Sequence, residues 1–159
     1  MRRHWLIYLD TNIYCRPLDN QTDRRINAET KAFLELVDAG ERGKIKIVSS
    51  DYVKFEIEQI IDPLKRKDIR GFERVLCKKN VTRSRKLIEL AKDFSCECRI
   101  DPLDALHIAS ACMGKADYLL TCDDQVIGKA DCVEKFAKSK GHKLKVSNPL
   151  NYLKEREIK

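Results

Sequence analysis

Four acidic residues that are far apart in the chain share one feature: each stands at or near the end of an apolar run, or at the start of the helix beside one. They are Asp10, Glu56, Asp104 and Asp123. Asp10 ends Trp5-Leu-Ile-Tyr-Leu9, and Asp123 follows Tyr118-Leu-Leu-Thr-Cys122. Glu56 lies in the first turns of a helical pattern after Lys44-Ile-Lys-Ile-Val48, and Asp104 lies near the start of the segment from Asp101 to Gly114. Carboxylates gathered at one place repel, and their pKa values rise. A hard divalent cation removes that penalty, because Mg²⁺ and Mn²⁺ prefer oxygen ligands. One or two such ions activate water and clamp a phosphate for in-line displacement. The chain offers no G-x-S-x-G elbow and no Cys–His pairing that a sequence can support. Hydrolysis of a phosphodiester by metal-activated water is therefore the reaction class these residues favour. Asp124 doubles the fourth position and is a further candidate ligand.

Each residue also has a plainer reading. Asp104 in a first helical turn is favoured by the helix dipole alone. His107, one turn later, is expected to be a packed histidine bonded to backbone, given the apolar helix around it. Arg16 and Lys54 are weak candidates for phosphate contact. A phosphatase with a strand-end Asp nucleophile would want a second Asp two residues after Asp10, where this chain has Asn12.

Positioning these acids falls to alternating strands and helices. Strand patterns are read at residues 5–9, 44–48, 118–122 and 143–147, and helical stripes lie between them. One helix covers residues 23–39 with Ile26, Thr30, Phe33, Leu34 and Val37 inward. A second follows Ser49-Ser50-Asp51 with Val53, Ile57, Ile60 and Ile61 on one stripe, and Pro63 ends it. Thr82 is expected to cap a helix bearing Leu87, Leu90, Ala91 and Phe94. Asp101 caps the next with its side chain, Pro102 opens it, and Gly114 gives it a left-handed exit. Residues 125–139 read as one further helix. Such alternation implies a three-layer α/β/α fold with a central parallel sheet of about four or five strands. Ligands of such sheets bind beyond the carboxyl ends of the strands, where the strand order reverses.

At 159 residues the sequence reads as a single domain, residues 1–159, with room for a real core. A composition of 43% hydrophobic and 36% charged residues is that of a soluble globular protein, and no apolar run is long enough to span a membrane. The basic prefix Met1-Arg2-Arg3 precedes an apolar run too short for a signal sequence, so a cytoplasmic location is expected. Seven cysteines at irregular spacing are read as reduced thiols acting as small hydrophobes. The net charge of +7 is concentrated in residues 64–86, which include Lys65, Arg66, Lys67, Arg70 and Arg74. That density suits phosphate binding beside an acidic cleft, although a solvated helix surface would look the same.

Taken together, several stretches resemble the PIN-domain nucleases. They are Tyr8-Leu-Asp10-Thr-Asn12, the strand–Ser50–helix segment with Glu56, Asp104-Ala-Leu-His-Ile-Ala109 and Leu120-Thr-Cys-Asp123. The ending Ser147-Asn-Pro-Leu150 is similar to that family's last strand and helix. The resemblance spans nearly the whole chain in the family's order and spacing. It implies a Mg²⁺- or Mn²⁺-dependent endoribonuclease, often the toxin of a VapC-type toxin–antitoxin pair and often a homodimer. Partners would then be RNA and a cognate antitoxin protein. By the same resemblance Asp10, Glu56, Asp104 and Asp123 form the metal-holding acidic quartet, Thr11 and Asn12 shape the site around Asp10, and Thr121 supports Asp123. A catalytically silent fold that binds RNA or a protein is the competing reading.

Overall fold

The sheet is parallel throughout, so each connection must cross a face and each strand must be covered on both sides. The structure, a computed structural model, describes residues 4–156; the basic prefix Met1-Arg2-Arg3 lies outside them. In chain order the elements are β1 (Trp5–Leu9), α1 (Thr11–Cys15), a 3₁₀ turn (Arg16–Leu18), α2 (Arg24–Glu41), β2 (Ile45–Ser50), α3 (Asp51–Glu58), α4 (Pro63–Leu76) and β3 (Cys77–Val81). There follow α5 (Arg85–Cys98), α6 (Pro102–Met113), β4 (Tyr118–Leu120), α7 (Asp124–Ile127), α8 (Ala130–Ser139), β5 (Lys145–Ser147) and α9 (Pro149–Arg156). Among the described residues the sheet has five strands in the order β3-β2-β1-β4-β5.

That order decides where a site can form. From β1 the chain winds outward through β2 and β3, then returns to place β4 on the other flank of β1. The reversal falls between β1 and β4, so their carboxyl ends diverge into a crevice. Ile7, Tyr8 and Leu9 pair with Tyr118, Leu119 and Leu120, and the Asp10 N–H extends the ladder to the Leu120 carbonyl at 3.0 Å. All six paired residues are buried, as a strand covered on both faces requires.

Several local expectations are corrected. The inward face of α2 carries Glu29, Ala32, Phe33, Leu36 and Ala39, while Leu34 is exposed. The helical phase is set by Glu29, which is fully buried between Arg16, Arg25 and Asn148. Pro63 does not end α3 but opens α4, with the Asp62 side chain capping Leu64 N–H, and Ile61 is left exposed. The helix α4 runs through Gly71 without interruption. The basic segment then supplies β3, a strand with no apolar signature, because it is an edge dressed with Lys78 and Lys79. Ser84, not Thr82, caps α5. The expected helix at residues 125–139 is two helices that part near Gly128.

Asp101 stands at the N-cap of α6 but makes no side-chain cap bond. Gly114 has φ −79°, and Lys115 takes the positive φ of 60°. Gly114 matters for a different reason: a Cβ there would lie 2.7 Å from Val81 Cγ2 and 3.0 Å from Val48 Cγ1. Gly114→Ala is expected to destabilise the fold by about 1–3 kcal/mol through overpacking, read as a lower urea midpoint with an unchanged slope.

The cysteines also depart from expectation. Cys98, at the end of α5, and Cys132, in α8, form a disulfide, while Cys15, Cys77, Cys96, Cys112 and Cys122 are free. Irregular spacing hid the pair because 34 residues separate them and only the packing of α5 on α8 brings them together. Cys132→Ser is expected to lose about 2–4 kcal/mol under oxidising conditions. Reductant should bring the wild type down to the variant's melting temperature, and an indifferent wild type would refute the bond.

Candidate active site

The crevice is built from Asp10 outward. As the N-cap of α1, Asp10 is extended at φ −64° and ψ 153°, and its Oδ1 accepts from Thr11 N–H at 2.7 Å. Its Oδ2 accepts from the Thr121 hydroxyl at 2.8 Å and from Asn12 Nδ2 at 3.3 Å. Asn12 Oδ1 accepts from Cys122 N–H at 3.1 Å, and Thr121 Oγ1 accepts from Asp123 N–H at 3.1 Å. Thr11, Asn12 and Thr121 therefore tie the end of β1 to the loop after β4, and Asp10 is buried with its polar atoms satisfied.

Glu56 arrives from the other flank. Ser50, the last residue of β2, caps α3 by accepting from Val53 N–H at 3.2 Å, and this sets the phase that turns Glu56 toward α1. Glu56 Oε1 accepts from the Thr11 hydroxyl at 2.8 Å and from His107 Nε2. His107 Nε2 lies 3.8 Å from Asp10 Oδ1. Its Nδ1 is 2.7 Å from the Tyr8 hydroxyl, which is 2.6 Å from Ser50 Oγ. His107 is thus bonded to side chains rather than backbone, which corrects the expectation for it. Its position one turn after Asp104 on a helix start was the available signal.

One ligand atom each from Asp10, Glu56 and His107 lie within 4.8 Å of one another. Asp104 and Asp123 are outside this closest group, and both are half-buried. They are near enough to act electrostatically: burial, then the charges of Asp10 and Asp123, push the Asp104 carboxyl up to about 6. Asp123 caps α7, its Oδ1 accepting from Gln125 N–H at 2.9 Å. Asp124 departs from the metal-ligand expectation. Arg25 takes both of its oxygens at 2.7 Å and also donates to the Cys122 carbonyl at 2.8 Å. This fork holds the loop that carries Asp123 and keeps the Asp124 carboxyl below its usual range.

The cations expected near the cleft are mostly engaged elsewhere. Arg16 donates to Glu29 and Asp19, and Lys54 to Glu73 and Asn80. Within α4, Lys65 pairs with Asp19, Arg66 donates to the Ile60 carbonyl, and Arg70 forks onto Glu58. Lys67 and Arg74 are exposed.

The PIN-domain family model matches residues 7–131, a span holding all four acids. The chain belongs to the PIN-domain family. No curated protein matches it. In this PIN domain the central cluster carries opposed shifts. Burial raises the Asp10 pKa against the pull of His107 and Thr121. Glu56 stays below its ordinary value because the bond and charge of His107 outweigh its burial. Burial would lower the His107 pKa, but Asp10 and then Glu56 hold it up. The closest donors are the carboxylates of Asp10 and Glu56 with the His107 imidazole, and Asp104 stands beside them with its carboxyl pushed up to about 6; the oxygen ligands of this set fit a hard divalent cation.

Asp104 gives a test by linkage. Its folded pKa of about 6 exceeds that of an unfolded Asp, about 3.9. The unfolded chain therefore releases its proton first, and this residue's contribution to stability falls as pH rises from about 4 through about 6. In EDTA, Asp104→Asn is expected to melt higher than wild type at pH 7.5 and at the same temperature at pH 4. Mn²⁺ at pH 7.5 should stabilise the wild type more than the variant.

Proposed function

We propose that this PIN domain is a Mg²⁺- or Mn²⁺-dependent endoribonuclease that hydrolyses RNA phosphodiester bonds. The observation that carries the reading is the convergence of Asp10, Glu56 and His107 within 4.8 Å at the crevice between β1 and β4, with Asp104 electrostatically coupled to it. A bound divalent ion supplies Lewis acidity toward the phosphate and lowers the pKa of water at the site. The chain's own groups do the rest. Thr11 N–H and Thr121 orient the Asp10 carboxylate, and Thr11 Oγ1 with His107 orient Glu56. Asp104 accepts at a carboxylate oxygen the proton that water loses as it attacks phosphorus, while the opposite P–O bond breaks and the departing ribose oxygen takes a proton from solvent. Asp123, steadied by Thr121 and the Arg25 fork, completes the acidic wall.

By resemblance to VapC-type proteins, the chain is further read as the toxin of a type II toxin–antitoxin pair acting in the cytoplasm, with RNA and a cognate antitoxin as partners. Exposed Phe55, Ile61 and Leu64, at the junction of α3 and α4, support a protein partner or a second copy that covers them. Among the described residues no helix is long and apolar enough to cross a membrane.

A binding-only module has one observation in its favour: His107, whose pKa Asp10 and Glu56 hold up, stands among the carboxylates and, when protonated, eases their repulsion without metal. Titrating Mn²⁺ and Mg²⁺ into protein with unstructured RNA separates the two readings. The nuclease cuts at a metal-dependent rate, and Asp10→Asn is expected to lower that rate by roughly 100-fold or more with the fold intact. RNA affinity without products, or full-rate cleavage by Asp10→Asn, would reverse the proposal.

A further inference from the structure

The carboxylate cluster has a neighbour. A cavity of about 210 Å³ opens between the α5–α6 link and the segment from α7 to α8, and Asp104 is part of its wall. One side carries Arg99, Asp101 and Asp104, and the other carries Gln125, Val126 and Lys129. Arg99 is set at the rim by a left-handed backbone at φ 52°, where it caps α5. Buried Val126 gives the cavity an apolar floor.

Within this cavity the cationic and amide side chains have no partner among the described residues. Elsewhere the cations near the crevice are committed: Arg16 and Arg25 to Glu29, Lys54 to Glu73, Arg70 to Glu58. Among the described residues, the side chains of Arg99, Gln125 and Lys129 enter no hydrogen bond or ion pair. A second observation concerns rigidity. Cys98 immediately precedes Arg99, and Cys132 lies just beyond Lys129, so under oxidising conditions the disulfide ties the two walls together. A pocket whose walls are cross-linked is organised before its ligand arrives.

We propose that the cavity holds one nucleotide of a single-stranded RNA, next to the bond cleaved at the acidic cluster. Its phosphate lies between Arg99 and Lys129, its base rests on Val126, and the Gln125 amide meets a base edge. The chemistry of the lining supports this assignment. Two free cations match a phosphodiester, an apolar floor suits the face of a base, and an amide donates and accepts at its edge. The volume is below the roughly 300–1,000 Å³ of pockets that enclose a drug-sized ligand, so one unit of a longer strand fits and the rest runs outside. The inference rests on the proposed function for RNA as substrate and adds where the strand is gripped.

The test measures binding apart from cleavage. In the Asp10→Asn background, affinity for a fluorescein-labelled unstructured RNA is read by fluorescence anisotropy across a salt series. Adding Arg99→Ala with Lys129→Ala is expected to lower affinity about fivefold to tenfold and reduce the salt slope by about 1. Arg99→Lys with Lys129→Arg should keep affinity within about twofold of the background, which removes misfolding as an explanation for the loss. Lys138→Ala, an exposed charge elsewhere on α8, serves as the control. Losses no larger than the control's, or no RNA binding in any variant, would overturn the subsite. A wild type that binds RNA through this pocket yet never cuts it would defeat the nuclease reading and leave the subsite standing.

Discussion

The Asp10 carboxylate is pinned at the point where two parallel strands end side by side, and the rest of the site is arranged around that restraint. Its Oδ2 accepts the Thr121 hydroxyl from the far side of the strand reversal, and its Oδ1 accepts from the first helical N–H after β1. A buried carboxylate without such partners would be severely destabilising. With them it becomes a fixed charge, and Asn12 and Thr121 make the same bonds serve the loop that presents Asp123. Positioning one acid therefore positions two. The arrangement exists only because the sheet order sets β4 against β1.

His107 changes how such a cluster endures. Its imidazole stands between Glu56 and Asp10, and the Tyr8–Ser50 pair fixes its other nitrogen. In its protonated form it partly neutralises the acids from within. Glu56 stays below its ordinary pKa while Asp10 and Asp104 are raised, so the carboxyls titrate apart from one another. Separated values of this kind let neighbouring acids take different parts in proton transfer. The same bond means that an incoming cation competes with His107 for Glu56.

Much of this was legible in the sequence, for reasons that can be traced. Apolar runs ended by Asp10 and followed by Asp123, each beside a helical pattern, gave the parallel sheet and the strand ends that matter. Other features left no local trace. Glu29 sits on the buried face of α2 because its partners Arg16, Arg25 and Asn148 come from three separate places, so hydrophobic periodicity placed Leu34 inside instead. Asp124 resembled a ligand in a doublet, and only the packing of α2 shows that Arg25 claims it. His107 read as core because it is core, buried to 2% exposure, yet its bonding partners lie 51 and 99 positions away in the chain. Strand β3 was missed because edges are selected for charge rather than for apolar alternation.

That last strand also governs how copies of this molecule can meet. Lys78 and Lys79 would set like charges against each other if two β3 edges tried to zip into one continuous sheet. At the opposite margin the Val146 N–H is already taken by the Glu134 carboxylate at 3.0 Å. With both margins of the sheet blunted, self-association is steered to the helical faces, and lateral polymerisation through backbone bonding is discouraged.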